Sequence, residues 1–265
     1  MKVGVIGGTG FYELLDWSDE TKAGTEFGDV VVYRADFEGR EVHFLPRHGT
    51  DHDRLAYEVN YRGNMLALKN LGVERVFATC AVGSLNPDIP VGHFALLDQF
   101  VDVTTNRVGT YGKYSVDLTD PYCPDLRAGF LIAAEELDTP ITPQATYICV
   151  DGPRYETGAE IQLYRSWGMD VVGMTSATEA ALARELGLCY AVVTISTDLA
   201  AGIGDVPPDL ETHRNVVRAN KERMSQLLLK AISTVSEKKS CGCLQAYERA
   251  VQARSEQLGK PIKHP

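Results

Sequence analysis

The strongest constraint on this chain is a repeated switch of hydrophobic period. Short β-branched runs come first: KVGVIG (2–7), DVVVYRADF (29–37), REVHFL (40–45) and RVFATCAVG (75–83). They resume as HFALLDQFVD (93–102), TYICVD (146–151), DVVGMT (170–175) and CYAVVTIST (189–197). Between and after them, residues 59–71, 124–138, 157–167, 177–187 and 209–235 carry apolar side chains three and four apart, as at Ala180, Leu182, Ala183 and Leu186. Such spacing predicts helices. Strands that are apolar throughout need cover on both faces, so the alternation predicts an α/β fold with a mostly parallel twisted sheet flanked by helices. The two runs within 29–45 meet at Glu38-Gly39 and predict a hairpin.

No internal repeat or low-complexity linker divides the chain. A break at SEKKSCGC (236–243) sets off a short helical stretch, 244–258, so 1–236 is expected to form one domain and 237–265 a helical C-terminal tail. A hydrophobic content of 44 % supplies a real core. With 36 acidic against 26 basic residues the net charge is −10, which excludes non-specific nucleic-acid binding. An anionic ligand must therefore be held by a local site that overrides the global field. MKVGVIGGTG lacks the apolar stretch of a signal peptide, and no run approaches the roughly 20 apolar residues of a membrane span. A cytoplasmic protein without membrane contact is expected. The cysteines at 80, 123, 149, 189, 241 and 243 sit mostly in apolar runs and read as buried thiols; only CGC at 241–243 is unusual.

Two segments carry candidate chemistry. GVIGGTGF (4–11) follows the first strand, but the dinucleotide fingerprint G-x-G-x-x-G meets Glu13 in one register and Ile6 in the other. What remains is a tight loop with backbone N–H groups and the Thr9 hydroxyl, which suits a small anion or a sterically packed turn alike. In PRHGTDH (46–52), His48 and His52 have the four-residue spacing of a helical metal pair. Gly49 interrupts any helix there and no further Cys/His cluster completes a ligand set, so no metal is expected. Arg47 beside His48 suits an oxyanion, through a guanidinium fork and an imidazole; a charged solvated loop is the plainer alternative.

Read jointly, these stretches resemble one family, the trimeric purine nucleoside phosphorylases, in particular their 5′-methylthioadenosine phosphorylase branch. The resemblance rests on GVIGGTGF, PRHG with His52, VNYRGNMLALKNLG (59–72), TCAVGSL (79–85), DQFVDVTTNR (98–107) and DPYCP (120–124). It continues through GPRYETGAE (152–160), VVGMTSATEAALARELGLCYA (171–191) and TISTDLAAG (194–202). It implies a single-domain, phosphorylase/hydrolase-like α/β fold whose central mixed twisted sheet curls into a distorted barrel. It also implies a homotrimer or homohexamer acting on a nucleoside and inorganic phosphate, with phosphate as co-substrate and no cofactor. By the same resemblance Thr9, Arg47, His48, Cys80, Ala81 (through its N–H) and Thr175 form the phosphate cradle. Asp198 is the acid toward purine N7, Met174 faces the ribose and Tyr155 walls the base or sugar.

Four departures bear on substrate. A second acid, two residues after the first in that branch, is Ala200 here. The small hydroxyl residue after the aromatic is replaced by Glu156, as in phosphorylases that take 6-oxopurines, whereas Asp198 matches the 6-aminopurine branch. Cys80 stands where that branch has Thr, and a thiol donates weakly. Leu210, near the 5′ end, favours a methylthio group, and His213 is expected on the solvated face of helix 209–235. The expected reaction is phosphorolysis of S-methyl-5′-thioadenosine to adenine and 5-methylthioribose 1-phosphate, in purine and methionine salvage. The alternatives are a 6-oxopurine substrate (methylthioinosine, inosine or guanosine) and a nucleosidase that uses water. In thermophilic archaeal relatives a CGC pair has been linked to disulfides; two free thiols on a surface loop fit the sequence as well.

Overall fold

In the computed structural model, which describes residues 1–8, 14–51 and 53–262, the most buried strands are ones with long, mostly apolar runs. Nine strands form one sheet: β1 (Lys2–Gly7), β2 (Asp19–Ala23), β3 (Val30–Phe37), β4 (Arg40–Pro46), β5 (Arg75–Ser84), β6 (Phe94–Asp102), β7 (Ile141–Cys149), β8 (Val171–Gly173) and β9 (Cys189–Leu199). Their order is β2-β3-β4-β1-β5-β8-β7-β6-β9, and β9 also pairs with β5. That extra pairing closes β5, β8, β7, β6 and β9 into a ring, with β1 to β4 as an open wing. Parallel pairs (β1–β4, β1–β5, β5–β9, β6–β7, β7–β8) mix with antiparallel ones (β2–β3, β3–β4, β5–β8, β6–β9). The sheet is thus mixed rather than mostly parallel, and the distorted barrel is present.

Among the described residues six α-helices cover it: α1 (Tyr61–Asn70), α2 (Pro124–Glu136), α3 (Gly158–Ser166), α4 (Ser176–Glu185), α5 (Leu210–Thr234) and α6 (Cys243–Leu258). Along β5 the period of two is visible in the packing. Val76, Ala78, Cys80 and Val82 join one apolar cluster with Leu68 and Leu182, while Phe77 joins the other with Phe130 and Leu227. The sheet is therefore sandwiched, with α1 and α4 supplying one cluster and α2 and α5 the other. All but one residue of α4 is buried, so it is an interior helix. The expected hairpin is present, with φ of 48° at Glu38 and 74° at Gly39, the left-handed pair that suits a two-residue turn.

One strand escaped the periodicity argument. β2 (DETKA) is exposed except at Ala23, so it has no apolar alternation and is held by its backbone ladder to β3. Its charges sit on a sheet edge, where they discourage pairing with another chain. β7 starts at Ile141, earlier than its apolar signal, because its first residues are half-buried or exposed. No helix among the described residues is long and apolar enough to cross a membrane.

Candidate active site

A cavity of about 500 Å³ opens at the carboxyl ends of β5, β8 and β9, beneath the first turns of α5. Ligands of α/β sheets favour that end, where strands stop and helices begin. The geometry depends on an irregularity between β5 and β9. Val82 pairs with Ser196, but Gly83 pairs with Asp198, so Thr197 is the extra residue of a bulge. A regular strand would send Thr197 and Asp198 to opposite faces; the bulge lets both line the cavity. Gly83 lies across from them, and a β-carbon there would come within 3.1 Å of Asp198 Oδ1 and 3.2 Å of Val172 Cγ1. A methyl group there would make both neighbours give way by a few tenths of an ångström.

One side of the cavity is built around Arg47 and the start of α4. Arg47 and Glu179 are both buried and joined by two hydrogen bonds, Nε to Oε1 at 2.5 Å and Nη2 to Oε2 at 2.9 Å. Arg47 Nη1 donates to the Thr79 carbonyl at 2.9 Å, and the Tyr190 hydroxyl donates to Glu179 Oε2 at 2.7 Å. Burial works against the charged guanidinium, and the Glu179 carboxylate more than offsets it, so the Arg47 pKa is raised. This revises the expected fork: the Nε/Nη2 edge is already taken by Glu179, and an anion can use only the remaining outer N–H directions. The start of α4, whose N-cap is Thr175, borders the same part of the cavity. The Thr175 N–H donates to Tyr147 Oη at 3.0 Å, which holds that first turn in place.

Cys80, Ala81, His48 and Thr175 all line the cavity. The Cys80 thiol, raised in pKa by burial, lies 3.6 Å from Thr175 Oγ1. His48 Nδ1 donates to the Arg54 carbonyl at 2.8 Å, which fixes that ring nitrogen as the protonated one. Thr9 and His52 lie outside the described residues.

On another wall, Asp198 is only 9 % exposed. Desolvation pushes its carboxyl up to about 6, against the lowering effect of a Thr197 hydroxyl bond and with a small push from Asp209. Thr197 Oγ1 donates to Asp198 Oδ2 at 2.8 Å and lies 3.1 Å from His213 Nδ1. His213 is thus half-buried on the cavity wall, not on the solvated face expected of it. Asp209 caps α5, accepting from the Thr212 N–H at 2.9 Å.

Tyr155, Glu156, Met174 and Leu210 also reach the cavity. The Tyr155-Glu156 loop is pinned by the α3 cap, in which Thr157 and Glu160 bond reciprocally and Arg154 pairs with Glu160 at 2.7 Å. Burial raises the Glu156 pKa. Met174 crosses over Gly152, whose φ is +68° and where a β-carbon would fall 2.4 Å from the Met174 sulfur. Ala200 is the exception among the expected substrate contacts. It is buried under the wall, its N–H bonded to Ser84 O at 2.8 Å, and does not line the cavity.

Sequence reasoning did not single out Glu179, Gly83 or Thr197. A carboxylate in the apolar stretch SATEAALA was the available signal for Glu179, since a buried charge in such a run needs a partner.

Known proteins share this arrangement of chain. A family model described as the phosphorylase superfamily matches residues 2–233. The probable 6-oxopurine nucleoside phosphorylase of Thermococcus kodakarensis is 43 % identical over 265 residues, covering 94 % of this chain and 98 % of its own. The S-methyl-5′-thioadenosine phosphorylase of Pyrococcus furiosus is 40 % identical over 248 residues, covering 91 % and 96 %. In structure, methylthioadenosine phosphorylase from Schistosoma mansoni in complex with adenine superposes with a TM-score of 0.90, at 28 % identity, covering 96 % of this chain and 98 % of its own.

Proposed function

This chain belongs to the phosphorylase superfamily and is a pentosyltransferase, and from that premise we propose that it cleaves S-methyl-5′-thioadenosine with inorganic phosphate. The products are adenine and 5-methylthioribose 1-phosphate, which places the enzyme in purine and methionine salvage. The observation that carries the reading is one cavity with an anion side at Arg47 and the α4 N-terminus and an acid, Asp198, lifted to about 6.

Glycosidic cleavage builds positive charge on the sugar ring while the C1′–N9 electron pair flows into the purine. Catalysis then needs complements at both ends. Phosphate, held by the outer N–H groups of Arg47, by Thr175 and by backbone N–H groups, stabilises the cationic sugar and bonds to C1′. Asp198 gives its proton to N7, which neutralises the departing base. Its desolvated setting keeps that proton available nearer neutrality than an ordinary carboxyl would. Thr197 orients the carboxyl, and His213 orients Thr197. Leu210, Val217 and Met224 line the α5 end of the cavity beside His213, Arg214, Asn220 and Lys221, and contact with the three apolar side chains favours a methylthio group over a 5′-hydroxyl. The phosphate side separates this reading from a nucleosidase, which has no dianion to hold. We further infer a homotrimer or homohexamer in the cytoplasm, with no added cofactor.

A second reading, a 6-oxopurine substrate, is favoured by Glu156 on the cavity wall, since a carboxylate there accepts from N1–H. Relatives carrying each activity name are almost equally similar, at 43 % and 40 % identity. A panel of adenine and hypoxanthine nucleosides, each with a 5′-methylthio or 5′-hydroxyl group, separates the two. The highest kcat/KM is expected for the methylthio-adenine member. A hypoxanthine nucleoside in first place would instead assign the base site to Glu156.

A further inference from the structure

Four cysteines from distant parts of the chain converge away from the cavity. Cys123 is the N-cap of α2, Cys189 opens β9, and Cys241 and Cys243 stand at the entry to α6. All four are buried, and their sulfur atoms all lie within 4.8 Å of one another. Cys189 and Cys241 are 3.4 Å apart. A regular tetrahedron of thiolates around Zn²⁺, with Zn–S near 2.3 Å, has S···S edges of about 3.8 Å, a spacing these sulfurs bracket. Every sulfur is within reach of the other three, so the group is one cluster and not two separate pairs. None of the four lines the cavity described above.

The surroundings suit a dianionic metal–thiolate centre. α2 and α6 both begin at it, so two helix N-termini direct their positive ends toward the sulfurs. Across the chain Asp125 fixes the approach of the tail, accepting from Ser240 N at 2.8 Å, Ser240 Oγ at 2.5 Å and Cys241 N at 3.1 Å. The same segment is also held by Arg75, which donates to the Ser236 and Glu237 carbonyls, and by the Lys239–Glu74 ion pair. SEKKS is polar, and among the described residues the small apolar cluster around α6 buries Tyr114, Tyr247 and Ala250, with Val116, Leu244, Val251 and Ile262 packed partly buried against them.

We propose that Cys123, Cys189, Cys241 and Cys243 bind one Zn²⁺ ion as a closed tetrathiolate site that fastens α6 to the sheet. On binding, each thiol releases its proton, four per ion, and no sulfur changes oxidation state. With four protein ligands and no open position, the ion is structural and takes no part in the reaction. The expectation of no metal came from spacing, which displays only the C-x-C pair. Closure of the fold supplies the two ligands that lie 52 and more residues before it in the chain.

Elemental analysis of the full-length wild-type protein, expressed in zinc-supplemented cells and purified under reductant without chelator, tests this directly. About one zinc per chain is expected, released together with four titratable thiols by a mercurial reagent. Exposure to a strong chelator at elevated temperature should lower the melting temperature, and added Zn²⁺ should restore it. Cys241→Ser and Cys243→Ser should each bring the zinc content close to zero. If those variants do not fold, the wild-type metal and thiol counts decide alone. Metal-free protein with four free thiols overturns the proposal, as does a mass lower by four hydrogens, which signals two disulfides. Iron at the same stoichiometry overturns the assignment to zinc.

Discussion

Replacing Asp198 by Asn separates the energetic cost of the candidate acid from its chemical use. Desolvation lifts the carboxyl from 3.8 to about 6, so the folded protein holds that proton more tightly than the unfolded chain does. The stabilisation this gives is complete below about pH 4 and is lost as the pH rises through about 6. At about 1.4 kcal/mol per pH unit, the loss comes to roughly 3 kcal/mol, and residual solvent access at the cavity wall brings it to about 2–3 kcal/mol. Asn has nearly the same shape and does not titrate. Its melting temperature relative to wild type should therefore climb between pH 4 and pH 8, by about 4–10 °C for a chain of this size. Thermal melts of both proteins in phosphate-free buffer across that range give the comparison. Over the same range, wild-type kcat/KM at saturating phosphate should fall above about pH 6, and the variant should lose this limb. Its kcat on adenine nucleosides should drop on the order of a hundredfold or more. Residual activity should shift toward 6-oxopurines, because an amide can donate to a keto oxygen while Glu156 remains. A difference in melting temperature that is flat with pH would refute the desolvation argument, and undiminished kcat would refute the proton donor.

The other predictions concern the residues around it. Glu179→Ala strips a buried guanidinium of its partner and should destabilise the fold by about 3–5 kcal/mol. Phosphate should then raise the melting temperature more in this variant than in wild type, because the anion takes the place of the lost carboxylate. Gly83→Ala places a methyl group 3.1 Å from Asp198 Oδ1, and kcat/KM for the nucleoside should fall on the order of ten- to a hundredfold. The KM for phosphate should not move, as steady-state kinetics with each substrate varied will register.

Much of this was legible before the fold was known, and the residues show why. The core strands β1, β5 and β9 announce themselves because each carries a β-branched, mostly apolar run that the fold then buries, and the α4 stripe because its spacing is helical. β2 could not be read, since an edge strand of charged residues is held by backbone bonds to which side-chain patterns are blind. The same limit hid the bulge at Thr197, a matter of register between two strands more than a hundred residues apart. Arg47 was visible as a cation, but its pairing with Glu179 spans 132 residues and belongs to the closed fold. His213 was placed on the wrong side because its helix is largely solvated near its start, while the cavity beneath that turn belongs to the closed fold.

Purified enzyme given S-methyl-5′-thioadenosine, first in buffer stripped of phosphate and then with phosphate restored, probes the joint use of the anion pocket and the acid most directly. Adenine release should be absent in the first condition, and in the second each adenine should be matched by one pentose 1-phosphate. Equal adenine release in both conditions, with free methylthioribose as the second product, would contradict it.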